Sequence, residues 1–134
     1  MEEQIVVAGA VFSADRLLVA QRNRPPELAG LWELPGGKVA AYESDADALV
    51  RELREELGVE VTVGARLGVD VTLNSGMTLR AYRVRLTAGS PQPHDHRELR
   101  WVAIDELDDL PWVPADRAWL PDLADVLREG ARPD

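Results

Sequence analysis

The stretch from Pro35 to Val59 constrains this chain more than any other. Ser44 followed by Asp47 has the spacing of an N-terminal capping box, and Gly58, fourteen residues after Ser44, stops the helix that begins there. Ala46, Leu49, Val50, Leu53 and Leu57 recur at helical spacing and predict its buried stripe. Glu52, Glu55 and Glu56 stand at i, i+3 and i+4, which gathers three carboxylates on one face, read from the spacing as the face opposite Leu53. Ahead of the helix Pro35 lacks an amide and Gly36 and Gly37 have free φ. The sequence there predicts a sharp, backbone-exposed turn near the carboxylate face, with Lys38 beside it.

The flanking segments read as strands. Ile5 to Phe12 and Leu17 to Ala20 are β-rich apolar runs joined by turn-like Ser13-Ala14-Asp15-Arg16, which predicts a hairpin. A proline-bearing loop, Asn23-Arg24-Pro25-Pro26, leads to the short run Leu31 to Leu34. Beyond the helix Val59, Val61 and Val63 alternate, as do Val69, Val71 and Leu73, and Asn74-Ser75-Gly76 predicts a turn into Met77 to Leu86. Gly89 to Asp95 reads as loop and Leu99 to Ile104 as a last strand, while Leu120, Leu123, Ala124 and Leu127 suit a closing amphipathic helix. Strands, helix, strands, helix indicate an α+β or α/β sandwich, and 134 residues with 46% hydrophobic content suit one domain, 1–134, around a single core. Trp32 and Trp101 read as packing; Trp112, between Leu110 and Val113, reads as core or as a base-stacking ring.

Charge narrows the chemistry. Three close anions resist full ionisation unless a cation joins them, and clustered hard oxygens suit Mg²⁺ or Mn²⁺, whose remaining positions take waters and phosphate oxygens. Arg51, one turn before Glu55, can orient it by a charged hydrogen bond. The formal charge of -9, from 15 Lys plus Arg against 24 Asp plus Glu, argues against a general electrostatic grip on nucleic acid or an anionic membrane. Any polyanion handled here needs a cation as intermediary. The absence of Cys excludes thiolate nucleophiles, disulfides and cysteine zinc sites, and Ile5 to Phe12 is too short for a membrane span and follows acidic residues, unlike a signal peptide. The expected setting is the cytoplasm. A solvated acidic face is the alternative for Glu52, Glu55 and Glu56 taken alone, but the full pattern weighs against it: Gly37, Glu43, Arg51-Glu52-Leu53, Glu55-Glu56 and Gly58-Val59 at fixed offsets recur by chance at on the order of 10⁻⁸ per position.

That pattern resembles the Nudix box, complete from Gly37 to Val59. Together with Val19-Ala20-Gln21-Arg22, Leu31 to Lys38 and Trp112 to Arg117, it makes the chain similar to MutT-like enzymes, in particular the CTP-preferring pyrophosphohydrolases of actinobacteria. The resemblance implies a Nudix sandwich and Mg²⁺-dependent hydrolysis of a nucleoside diphosphate linked to another group. It implies Glu52, Glu55, Glu56 and the Gly36 carbonyl as metal ligands, Arg51 as their orienter, Glu43 as a brace between loop and helix, and Lys38 and Arg22 as phosphate- or nucleotide-contacting cations. MutT-like enzymes also use an acidic residue ahead of the last strand as metal ligand or base. Asp95 occupies that place, with Glu98 or Glu55 as alternatives for the base, and His96 reads as structural.

The substrate expectation rests on Asp116. The position matches one where MutT-like enzymes read the base, and a carboxylate, accepting but not donating, suits the exocyclic amine of cytosine better than guanine O6. The expected substrates are therefore CTP, dCTP and 5-methyl-dCTP, with 8-oxo-dGTP as runner-up. A structural role for Asp116, capping the turn before Trp119 or pairing with Arg117, is the alternative. The marks of ADP-ribose, dinucleoside polyphosphate and NADH classes are absent. A Nudix-fold binding module without turnover is the competing class, disfavoured by the intact glutamates; a monomer or homodimer is expected, with no nucleic-acid polymer or membrane as partner.

Overall fold

The structure, a computed structural model, describes residues 4–130. Strand β1 (Ile5–Ser13) alternates its apolar side chains: Val7 and Val11 face one core layer, Ala8 and Ala10 the other. β2 (Arg16–Gln21) does the same with Leu18 against Leu17 and Val19. A strand buried on both faces reads as a continuous apolar run, as these two do. The sheet is mixed, ordered β3 (Trp32–Glu33), β2, β1, β6 (Thr78–Ala88), β5 (Glu60–Thr72), with β1 and β6 parallel from Ile5↔Thr78 to Phe12↔Arg85. One face is covered by α1 (Asp45–Leu57) through Leu49, Leu53 and Leu57. The other is covered by α2 (Leu120–Gly130) and two 3₁₀ turns, Ile104–Asp109 and Pro114–Trp119, through Leu107, Trp119, Leu123 and Leu127. This is the expected α+β arrangement of helices on both faces of a sheet.

What opens a site is the parting of β1 from β2. They pair only at Phe12↔Leu17 and Ser13↔Arg16, and then take different partners. β2 goes on with β3 and with β7 (Glu98–Val102), whereas the first half of β1 pairs with β4 (Gly36–Lys38). The cleft between these partners is where the polar residues gather.

Five local expectations are corrected. Pro35-Gly36-Gly37 is not a turn: Gly36 and Gly37 are strand β4, and neither adopts positive φ. Space, not φ, demands glycine there. A Cβ on Gly36 would lie 1.9 Å from the Val7 carbonyl oxygen, and one on Gly37 would lie 2.4 Å from the Glu52 carboxyl group. In α1 the buried alanine is Ala48 rather than Ala46, because the helix packs along β4 as well as β1 and β5, which turns its buried side toward the glutamates. For the same reason Glu56, three residues after Leu53, lies beside the apolar stripe, half-buried, rather than opposite it. Val59 precedes β5, and Val61 to Val71 belong to that one strand, whose register slips between Val63/Arg66 and Leu67/Val71 leave Val69 exposed; the last strand ends at Val102, and Ile104 starts a 3₁₀ turn. The helix caps stand as expected: Ser44 Oγ accepts from the Asp47 amide at 3.1 Å, and Gly58 closes at φ 70°. Asn74-Ser75-Gly76 is the expected turn, with Gly76 at φ 93°.

Gly36→Ala forces a methyl group into backbone that cannot move without breaking the β1–β4 pairing, so it is expected to destabilise by about 3 kcal/mol or more. Gly37→Ala displaces only a side-chain end and should cost clearly less in denaturant unfolding. Equal costs would contradict this reading of the two glycines.

Candidate active site

Arg51 ties the site together. Its Nε and Nη2 donate to both oxygens of Glu43 at 2.9 Å, its Nη1 donates to Glu52 Oε1 at 2.8 Å, and Nη2 also reaches the Lys38 carbonyl at 3.1 Å. Glu43 in turn accepts from the Ala40 amide at 2.9 Å. Loop, strand β4 and helix are thus joined at one guanidinium, and Glu43 braces loop to helix as expected. Hydrogen bonding from Arg51, then from the Ala40 amide, holds the Glu43 carboxyl down at about 2, and the hydrogen bonds to Glu43 and Glu52 raise Arg51. The carboxylate that Arg51 orients is Glu52, not Glu55. Glu55 Oε2 stays 3.7 Å from Nη1, beyond hydrogen-bond reach, and its side chain is 62% exposed.

A cavity of about 450 Å³ fills the cleft. Of the residues singled out from the sequence, Gly36, Lys38, Glu56, Arg22, Asp95 and Asp116 line it. Glu52, Glu55 and Arg51 do not; Glu52 backs Gly37 from the helix side. Among the described residues no three acidic or histidine side chains converge into a closed metal cage. The wall also carries three polar residues that sequence reasoning passed over or left as structural: Glu33, Arg24 and His96. Arg22 donates to Glu33 Oε1 at 2.9 Å, and His96 Nε2 stands 3.0 Å from Glu33 Oε2, so Glu33 joins a cation and a buried imidazole at the cavity floor. The one available signal was an acidic residue inside the apolar run Leu31 to Leu34.

Glu56 carries the site's unresolved charge. Its Oε2 is buried without a hydrogen-bond partner, and its carboxyl is pushed up to about 8, first by burial, then by the negative charges of Glu52, Glu33 and Asp95; the Gly36 amide pulls the other way. An orphaned carboxylate oxygen amid further anions is the environment a hard divalent cation fits, since the cation supplies the missing partner and removes the repulsion. Gly36, Glu56 and Asp95 share one wall for such an ion, with Glu52 behind it.

Asp116 departs from expectation. It is 3% exposed, lies on the second 3₁₀ turn, and accepts the Leu34 amide on Oδ2 at 2.8 Å rather than pairing with Arg117. Burial pushes its carboxyl up to about 8, with the Leu34 amide and Arg22 opposing and Glu33 reinforcing. A group titrating there is largely protonated at neutral pH, so it can donate from its other oxygen. Asp116 can thus donate as well as accept. Trp112 is 2% exposed, with Nε1 donating to the Leu107 carbonyl at 2.7 Å, and belongs to the core.

These features coincide with a known family. A model of the NUDIX domain matches residues 3–123. "Putative 8-oxo-dGTP diphosphatase 2" of Mycobacterium tuberculosis is 60% identical over 98% of this chain and 95% of its own length. The CTP pyrophosphohydrolase of Escherichia coli is 43% identical over 85% of this chain and 87% of its own. Among solved structures, the solution structure of the E. coli ORF135 protein superposes with a TM-score of 0.77 at 39% identity, covering 99% of this chain and 95% of that one. The chain belongs to the Nudix family. Within it, this is a nucleotide-acting Nudix hydrolase with MutT-like relatives, of a family that generally uses divalent metals.

The raised carboxyls set a pH dependence. A carboxyl raised on folding contributes its stability below its ordinary range near 4 and loses it as pH rises toward about 8, because the unfolded chain then binds fewer protons than the native one. Metal-free Glu56→Gln should therefore be more stable than wild type at pH 8 by about 1–3 kcal/mol, yet turn over at least about 10²-fold more slowly. A destabilised variant at pH 8, or one of near wild-type rate, would contradict the assignment.

Proposed function

We propose that this chain is a Mg²⁺-dependent pyrophosphohydrolase that cleaves a nucleoside triphosphate to the monophosphate and pyrophosphate, acting on CTP, dCTP and 5-methyl-dCTP in the cytoplasmic nucleotide pool. The observation that carries this is one cavity with two kinds of lining. Glu56, Gly36, Asp95, Lys38, Arg22 and Arg24 line it with hard oxygens and cations for a phosphate chain, while Leu28, Leu34, Leu73, Met77 and Ala115, together with Asp116, add wall suited to a base.

Bound Mg²⁺ supplies charge neutralisation at the phosphates and lowers the pKa of attacking water. Glu56 and the Gly36 carbonyl would hold it, with Glu52 from behind Gly37 and Glu55 from the exposed helix edge as the further carboxylates. Lys38 and Arg22 take phosphate oxygens. Water adds to phosphorus, the bridging P–O bond breaks, and pyrophosphate leaves. Asp95 accepts the water's proton; it lines the cavity, whereas Glu55 does not.

Asp116 reads the base through its free oxygen. Neutral, it donates to cytosine N3; ionised, it accepts from the N4 amine, so cytosine has a partner in both states. A second reading, 8-oxo-dGTP, is favoured by the name of the 60% identical relative and by its edge, where O6 accepts and N7–H donates. Unmodified guanine offers only acceptors, O6 and N7, along that edge.

A panel of CTP, dCTP, 5-methyl-dCTP, 8-oxo-dGTP and dGTP, with products identified, decides between the readings by kcat/KM. Wild-type discrimination against dGTP should widen by about tenfold as pH rises through 8, the loss of the hydrogen bond donated by the neutral carboxyl, and Asp116→Asn, whose amide keeps a donor, should not show the change. Release of products other than monophosphate and pyrophosphate would sink the reaction assigned. A pH-independent wild-type ratio would remove Asp116 from base reading.

A further inference from the structure

Three cations line the cavity, and they are not equally available. Arg22 is committed to Glu33 in a part-buried pair and also donates from Nε to the Arg24 carbonyl at 3.0 Å. Lys38 has no ion-pair partner among the described residues. Arg24 sits between these cases: its Nη2 donates to Asp95 Oδ1 at 3.0 Å across the cavity mouth, joining the loop after β2 to the loop before β7. The backbone around this pair is fixed from both sides, since Asn23 Nδ2 donates to the Asp95 carbonyl at 3.3 Å and the Arg97 amide to the Gln21 carbonyl at 2.8 Å. The side chains of the pair are not. They are 70% and 47% exposed, the situation in which an ion pair contributes least and exchanges most readily.

Asp95 is therefore held by a cation that it does not own firmly, while sitting close enough to Glu56 to raise that carboxyl. A triphosphate arriving at the cavity brings several negative charges and planar-recognisable oxygens, for which an Arg fork is better matched than for a single exposed carboxylate. Resting on the triphosphate reading above, we propose that Arg24 is a substrate-positioning residue that exchanges Asp95 for the outer phosphates of the nucleotide, so that substrate binding itself releases the Asp95 carboxylate into the site. The loop that reads from sequence as a proline-rich connection thereby carries a binding group. It also links two events by reciprocity: whatever favours Arg24 on phosphate favours a free Asp95, and the reverse.

The exchange predicts a split that a merely structural tether does not. Arg24→Gln should weaken dCTP binding, measured at equilibrium in Mg²⁺ with the α,β-methylene analogue of dCTP so that no turnover intervenes, by about tenfold or more, the factor expected for one lost charged hydrogen bond to phosphate. In Mg²⁺ its kcat at saturation should fall by less than about threefold, because Asp95 is already free, and Arg24→Lys should recover part of the binding. 8-oxo-dGTP should show the same factor, since the phosphate chain is shared. Asp95→Asn should tighten dCTP binding at least about threefold more beside Arg24 than beside the Gln variant, the non-additivity of groups that compete for one partner. The Arg24 side chain is largely exposed, so the unfolding temperature of Arg24→Gln is expected to match wild type and serves as the fold control. Unchanged dCTP affinity with a large fall in kcat would overturn the inference and leave Arg24 a simple holder of Asp95. Additive effects of the two substitutions would overturn it as well. Binding without turnover by the wild type would sink the proposed function but not the Arg24 result; no binding of either nucleotide would sink both.

Discussion

The structure depends on the Arg51 guanidinium more than on any other group. Its donors reach Glu43, Glu52 and the Lys38 carbonyl, and so fix the distance between the helix and strand β4. That distance is short enough that a Cβ on Gly37 would run into the Glu52 carboxyl group, while Gly36 is held to glycine by the Val7 backbone of β1. The close approach has a cost, because it carries Glu56 into a half-buried position beside the Gly36 backbone with one oxygen unpaired. Packing here creates an electrostatic problem that packing alone does not solve. A protein interior leaves such a carboxyl orphaned only where something outside the chain completes it.

The same logic accounts for an acidic protein that handles a polyanion. Glu33, Glu56, Asp95 and Asp116 crowd one cavity, and two of them are pushed up to about 8 by burial and by one another. Glu33 acts on both, from between Arg22 and His96. The cations present, Arg22, Arg24 and Lys38, cannot by themselves balance these anions and a triphosphate together. The net charge of -9 and the nucleotide chemistry are compatible through a divalent ion, which removes the carboxylate repulsion and the phosphate repulsion at once.

Much of this was legible in the sequence because it is local. Ser44 and Gly58 cap the helix through contacts within a few residues, and the alternation of β1 and β2 needs only the period of a strand. The glycine pair was misread because the same residue serves two purposes, φ freedom and lack of volume, and only a tertiary neighbour distinguishes them. Ala46 and Ala48 were exchanged for a similar reason: helical periodicity assumes one buried side, and β4 adds a second. Arg51 reaches Glu52 instead of Glu55 because its guanidinium is held toward Glu43 and the Lys38 carbonyl. Asp116 lines the cavity, but its ionisation is set by burial and opposed by the amide of Leu34, 82 positions away, which no spacing reports. Arg24, Glu33 and His96 come from three separate elements, and their meeting is a product of the sheet's topology.

The central claim is that the fold holds Glu56 as a carboxyl made reluctant to ionise until a divalent cation completes it. Site-resolved carboxyl titration of Glu56 by ¹³C NMR, in metal-free protein and then with Mg²⁺, reads this directly. The account predicts a midpoint near 8 without metal, set by burial and the surrounding anions, and a fall into the ordinary carboxylate range once Mg²⁺ is bound. An ordinary midpoint in the metal-free protein, or one that Mg²⁺ leaves unmoved, would contradict it.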